Sequence, residues 1–412
     1  MVPDGWKREL FGNVATFKNG LNFTLNETGE NIKIVGVRDF KDFSELNNME
    51  NLEKVNVSSI LRDDELLNSE DLLFVRSNGN KDLVGRCLYF PHIEERVSYS
   101  GFTIRGRVNK EEILPRYASF LMRSEFIKRQ FSEGGGGTNI SNLNQQILND
   151  VFFGLPPLRE QIKITKILFT WGQAISATEK LLKNRKKYKY FLTRQLLTNK
   201  KRLSGFPKIW NTLKLSSVFS RVTSKNNEAN TNVLTISAQH GLIRQDDFFN
   251  KTVASEVLDN YFLLHKGQFA YNKSYSNGYP MGAIKRLNKY EKGVVTTLYI
   301  CFEIKAPQTS DPEFFEHYFE AGLLNRGLSK IANEGGRAHG LLNVKPIDFF
   351  DLTVFVPDVA EQRAIAQVLT AADKEIQNLQ TTLTCLKQEK KALMQQLLTG
   401  KRRVKVDAVE AS

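Results

Sequence analysis

The chain repeats itself. Displaced by 201 residues, LPPLREQIKITKILF falls on VPDVAEQRAIAQVLT and TRQLLTNKKRL falls on MQQLLTGKRRV, without a gap. Residues 155–203 and 356–404 share 16 identities in 49 positions, among them Pro156 with Pro357 and Glu160-Gln161 with Glu361-Gln362. A duplication of this kind constrains the fold more than local propensity does, because both copies must find equivalent settings.

Both copies read as long helices. The prolines suit the approach to a helix start, where a missing N–H costs little, and Gly400 suits a stop. Ile365, Leu369, Ala372, Ile376, Leu379, Leu383, Leu386, Leu393 and Leu397 alternate steps of three and four, with Lys390 in the remaining slot. The first copy keeps the register through Ile164, Leu168, Trp171, Ile175, Leu182, Leu192 and Leu196, interrupted by Thr178, Arg185 and Lys189. One narrow apolar stripe of this kind is a coiled-coil seam. Neither helix can bury its seam alone, so the two are expected to pack antiparallel.

The rest divides into residues 1–154 and 204–355, each leading into one helix (155–203 and 356–404), with a tail at 405–412. Trp6 and Trp210 open the two segments, and Val14 and Val218 keep the same offset from them. Strand-like runs follow: NIKIVGV, DLLFVRS and FTIRGRV, then NVLTISA and VVTTLYICFEI. Helical stretches around PRYASFLMRSEFIKRQF and PEFFEHYFEAGLLNRGLSKIA come next, then the glycine-rich EGGGGTNISN and NEGGRAHGLLN, then the runs DVFFGLPP and DLTVFVP. The fold class is therefore α+β: two globular domains alternating with two long helices, a pseudo-two-fold tandem duplication.

Composition narrows the function. Three cysteines, Cys87, Cys301 and Cys385, build neither a disulfide framework nor a cysteine zinc site. No membrane span or signal peptide is visible, so a cytoplasmic protein is expected. The net charge of +13 suggests a polyanionic partner, but the charge is unevenly spread. Residues 155–203 hold 13 basic and 2 acidic residues, and 356–404 hold 8 and 5, which leaves the globular halves nearly neutral. Recognition in those halves must come from a few placed side chains, and the basic run Lys180–Lys189 is a candidate DNA or partner surface.

These motifs resemble the specificity subunit of type I restriction–modification systems. The resemblance covers essentially the whole chain and rests on the two closings Leu155-Pro156-Pro157-Leu158-Arg159-Glu160-Gln161 and Val356-Pro357-Asp358-Val359-Ala360-Glu361-Gln362. Each is followed by a helix ending in Gln-Leu-Leu-Thr, at 195–198 and 396–399. The resemblance implies two target-recognition domains, each reading one part of a split double-stranded DNA sequence, with the helices as a ruler between them. It implies docking of two methyltransferase subunits and of motor-nuclease subunits. S-adenosylmethionine, ATP and Mg belong to those partners, and no cofactor is expected on this non-catalytic chain. Glu160, Gln161, Glu361, Gln362, Ile376, Leu383, Leu393 and Leu397 are the helix-seam and partner-docking candidates. The alternative is a coiled-coil scaffold without base preference.

The residues themselves offer no enzyme. Pro156-Pro157 lacks the flanking amide or carboxylate and aromatic ring of an adenine methyltransferase loop. Gly400-Lys401 lacks the upstream glycine of a phosphate loop. Asp358 and Glu361 sit too close together for a nuclease metal site and are expected, like Glu160, to cap the helix start. The five histidines show no ligand spacing. Base reading needs donors and acceptors on a positioned scaffold. Two loops per half are candidates: Arg76, Ser77, Asn78 and Lys81, with Thr138 and Asn139, in the first; Asn272, Lys273, Ser274 and Tyr275, with Arg337 and His339, in the second. Arg76 can pair bidentately with guanine, and Asn78 or Asn272 with adenine. Tyr275 and Tyr279 are aromatic candidates for stacking.

Overall fold

In each half the opening strand pairs antiparallel with the closing one. Lys7–Leu10 lies against Phe152–Leu155, and Asn211–Lys214 against Thr353–Val356. This pairing brings both ends of a half to the start of its helix. A computed structural model describes residues 2–23, 29–40, 44–57, 60–134, 142–248, 258–334 and 342–406.

Each half is built on a four-stranded antiparallel sheet of the same order. The first runs Ala15–Asn19, Thr103–Val108, Leu72–Val75, Cys87–Tyr89; the second runs Phe219–Val222, Ile300–Ile304, Phe269–Asn272, Ala283–Arg286. The registers match row for row. Phe17, Gly106 and Leu72 lie side by side in one sheet, as do Arg221, Phe302 and Phe269 in the other. Beyond this shared frame the halves differ. The first adds a three-stranded sheet of Glu53–Val57, Glu30–Val35 and Val97–Tyr99, while the second adds the hairpin Leu234–Ser237 with Gly241–Arg244 and the pair Phe262–His265 with Lys292–Val295.

Three expected elements are divided. The first helical stretch forms Pro115–Met122 and Glu125–Gly134, because the Ser124 hydroxyl accepts the Ile127 N–H and starts a new helix. The second forms Pro312–Glu320 and Asn325–Ile331, parted at Gly322, whose φ of +68° suits glycine. VVTTLYICFEI is two strands joined by a turn, with Tyr299 N–H donating to Thr296 C=O at 3.2 Å.

The connectors are single helices, Leu158–Leu196 and Val359–Leu397, of 39 residues each, about 58 Å at 1.5 Å per residue. The chain separates into two compact units, residues 1–179 with 381–412, and residues 180–380. Each unit thus holds one four-stranded frame and part of both connectors, whereas the sequence divides the chain into a domain, a whole connector (155–203), a second domain and a second whole connector (356–404).

Pairing is antiparallel within each unit. In the first, Ile164 and Leu168 share a core with Leu397, Leu398, Phe11, Phe74 and Phe131, and Glu179 meets Lys387 at 2.7 Å. In the second, Leu196 and Leu197 share a core with Ile365, Leu369 and Phe302, and Arg185 meets Glu375 at 2.8 Å. Ile376, Leu383 and Leu393 are half-buried and Leu397 is buried, as expected where two helices pack without a third. The polar interruptions have a physical reason: Arg185 and Lys189 occupy seam positions opposite Glu375 and Asp373. Lys390, the repeat equivalent of Lys189, instead meets Gly172 and the ring of Phe120. Burial without a facing carboxylate on the partner helix pulls its pKa down. No helix is long and apolar enough to cross a membrane, among the described residues.

Candidate nucleic-acid interface

In the first unit the strand Leu72–Val75 runs directly into Arg76, Ser77 and Asn78, which are half-buried, while Lys81 is exposed. Backbone bonds fix this loop from two sides. Arg76 N–H donates to Phe102 C=O at 2.8 Å, and Leu143 N–H donates to Arg76 C=O at 2.8 Å. Asn78 uses its side-chain carbonyl locally, accepting the Asn80 N–H at 2.8 Å. Asn80 in turn accepts the Asp82 N–H at 3.0 Å and caps the short 3-10 turn Lys81–Leu83.

The second unit repeats the arrangement with different side chains. Asn272 ends its strand and accepts the Ser274 N–H at 3.0 Å; Lys273 C=O accepts the Leu342 N–H at 3.0 Å. Partial burial lowers the pKa of Lys273. Tyr275 is 63% exposed. Tyr279 is spent inside the unit, because its hydroxyl donates to Glu320 and accepts from Lys285, and burial with the adjoining carboxylate pushes its pKa up. Thr138, Asn139, Arg337 and His339 lie outside the described residues. The residues just beyond them, Leu143 and Leu342, are the ones bonded to Arg76 and Lys273, so each strand-end loop is joined to the exit of its glycine-rich segment. Sequence reasoning missed a third component, the turn that carries Phe102. A short Ser-Gly-Phe run has no signature until strand register places it.

The connector motifs lock these frames in place. Glu160 accepts the Trp6 indole N–H at 3.2 Å and the Arg403 Nε at 3.0 Å. Glu361 accepts the Trp210 indole N–H at 3.2 Å and the Arg202 Nε at 3.1 Å. Arg202 ends the first repeat yet holds the start of the second, and Arg403 does the converse. Gln161 donates to Pro156 C=O at 2.9 Å and accepts the Leu114 N–H at 2.8 Å. Gln362 donates to Pro357 C=O at 2.8 Å and accepts the Asp311 N–H at 2.8 Å. Leu114 and Asp311 immediately precede the helices Pro115–Met122 and Pro312–Glu320, so each glutamine ties a helix of the globular half to a connector.

All four Glu-Gln side chains are therefore interior. The expectation that the glutamates cap their own helices is corrected: Asp358 accepts the Glu361 N–H at 3.0 Å, while both glutamates turn inward to an indole and a guanidinium. Ion pairing keeps the Arg202 and Arg403 pKa values raised.

The connector's basic run also divides. Arg185 and Lys189 face the partner helix, whereas Lys180, Lys183, Lys186 and Lys187 are exposed. Burial pushes the Cys87 and Cys301 thiols up to about 12, which keeps them unreactive. No group of three or more His, Cys, Asp or Glu is arranged to hold a metal, among the described residues.

Comparison with known proteins agrees with this geometry. A family model described as the type I restriction modification DNA specificity domain matches residues 3–185. The putative type I restriction enzyme MjaX specificity subunit of Methanocaldococcus jannaschii is 24% identical, over 98% of this chain and 95% of that one. The type I restriction enzyme StySPI specificity subunit of Salmonella potsdam is 27% identical over 166 residues, a match that spans 39% of this chain and only 35% of that relative. Among solved structures, a chain from work on complex assembly and conformational transition of the type I R-M system superposes with a TM-score of 0.58 at 15% identity, covering 98% of this chain and 100% of that one. The type I restriction–modification S subunit from M. genitalium gives 0.55 at 12% identity, with 96% of each chain covered. These structures share the fold. The repeated helices, the duplicated frame and the matched domain together make this chain similar to type I restriction–modification DNA specificity subunits.

Proposed function

We propose that the chain reads a split, asymmetric DNA target, one part with each half, and directs adenine methyltransferase and restriction subunits to it. The observation that carries this reading is one scaffold presenting two different side-chain sets at one place. Arg76-Ser77-Asn78 and Lys273-Ser274-Tyr275 follow equivalent strands, and the backbone bonds from Leu143 and Leu342 hold them alike. A rigid frame with exchanged donors and acceptors is what base-edge readout requires. Identical frames with different loops favour two unlike half-sites. The exposed lysines of Lys180–Lys189 suit phosphate contacts between half-sites, which position without specifying.

In this reading the chain does no covalent chemistry. S-adenosylmethionine, ATP and Mg act on the partner subunits, and the assembly works in the cytoplasm. Two methyltransferase subunits dock on the connectors, whose outer faces include exposed Leu181, Tyr188, Tyr190 and Phe191.

The test is co-expression with a type I methyltransferase subunit encoded beside this chain, followed by sequencing that detects methylated adenine. A two-part motif that appears only when this chain is present is the expected result. Methylation that is identical with and without the chain, in an assembled complex, would favour the scaffold reading.

A further inference from the structure

Two bulky apolar side chains stand exposed at the same position of the two recognition frames. Phe102 is 64% exposed and Leu298 is 60% exposed. Their equivalence follows from strand register. Gly106 and Phe302 occupy the same place in matching three-strand rows, and Phe102 and Leu298 each lie four residues before them. The local geometry agrees. Thr103 N–H donates to Ser100 C=O at 2.8 Å and Tyr299 N–H to Thr296 C=O at 3.2 Å, so each apolar residue is the third residue of a four-residue turn. Among the described residues no other exposed large apolar pair matches in this way.

Single exposed apolar residues are ordinary, but the same exposure on two halves that diverge around it asks for a reason. Each turn also adjoins a candidate base-reading loop. Phe102 C=O accepts the Arg76 N–H, and the Arg76 guanidinium donates to Gly101 C=O at 3.4 Å. Phe102 and Ser77, Asn78 and Gly79 line one groove of about 560 Å³. In the second half, Leu298 lies two residues before Ile300, which pairs with Tyr271 on the strand that ends at Asn272, next to Lys273.

Resting on the DNA-reading function proposed above, we infer that Phe102 and Leu298 are apolar wedges, one per half-site, that enter the base stack beside the polar loops. A wedge unstacks a base step and kinks the duplex, adding specificity through the ease of deforming that step. It suits halves whose net charge is near zero, because a wedge gains affinity without cations.

The test uses the full chain and duplexes that it enriches from a random-sequence library, with 2-aminopurine placed at each position in turn. Wild type should raise the fluorescence at one step in each part of the target. Phe102→Ala should abolish the rise in one part only and weaken binding roughly tenfold, and Leu298→Ala should do the same in the other part. The salt dependence of binding should be unchanged, because no phosphate counterion is involved. Phe102→Leu, the residue type of the other half, should retain most of both signals. Both side chains point largely into solvent, so their truncation leaves the cores intact. Unchanged affinity and fluorescence in the alanine variants would overturn the wedge while leaving sequence reading standing. Lost affinity with an altered salt slope would assign these residues to phosphate positioning instead. Failure of wild type to enrich any sequence would remove the reading on which the wedge rests.

Discussion

Glu361 shows how a surface-looking motif becomes an interior joint. A charged pair at a helix start reads as a cap or a docking handle, yet this carboxylate is 1% exposed and bound by Trp210 and Arg202. Burial of a charge is tolerated because the indole and the guanidinium satisfy it. The repeat predicts that Glu160 and Glu361 share one environment, and they do. It does not reveal the partners, because Trp210 and Arg202 lie 151 and 159 residues away. Glu361→Ala strands the Trp210 N–H, buried at 4% exposure, without an acceptor, and should cost about 2 kcal/mol. Urea unfolding followed by Trp210 emission, with Trp6 and Trp171 replaced by phenylalanine, would show the lower midpoint. An unchanged midpoint would mean that the joint contributes no net stability.

At the scale of elements, the connectors were the most legible part of the sequence, since a sustained three-four spacing has one regular solution. Their polar seam positions were harder to read. Arg185 and Lys189 look like defects until Glu375 and Asp373 are found opposite them. The short strands Lys7–Leu10 and Asn211–Lys214 were not legible at all. Only long-range pairing with Phe152–Leu155 and Thr353–Val356 defines them, and KREL and NTLK carry little strand preference of their own. A helix ruler makes a direct prediction. Seven residues inserted into each connector between the two units, after Glu179 and after Gln380, keep the seam in register and add about 10.5 Å. The preferred spacer in the methylated motif should then grow by about three base pairs at 3.4 Å each. A spacer that stays the same would rule out the connectors as its determinant.

For the whole molecule, duplication explains both what the sequence disclosed and what it withheld. The plan of α+β frame and helix, stated twice, was readable because the helices have diverged least. The strand-end loops were legible only as candidates. Ser-Asn-Gly and Asn-Lys-Ser are ordinary turn chemistry, and the bonds from Leu143 and Leu342 single them out only after folding. Phe102 and Leu298 were missed because exposure has no sequence signature. The central claim is that each half reads its own part of the target, and replacement of residues 1–154 by the corresponding half of a different specificity subunit tests it most directly. Sequencing of methylated adenine in cells carrying the chimera and the methyltransferase should show a motif with one part changed and the other part retained. A motif unchanged in both parts, from a chimera that still assembles and methylates, would contradict the account.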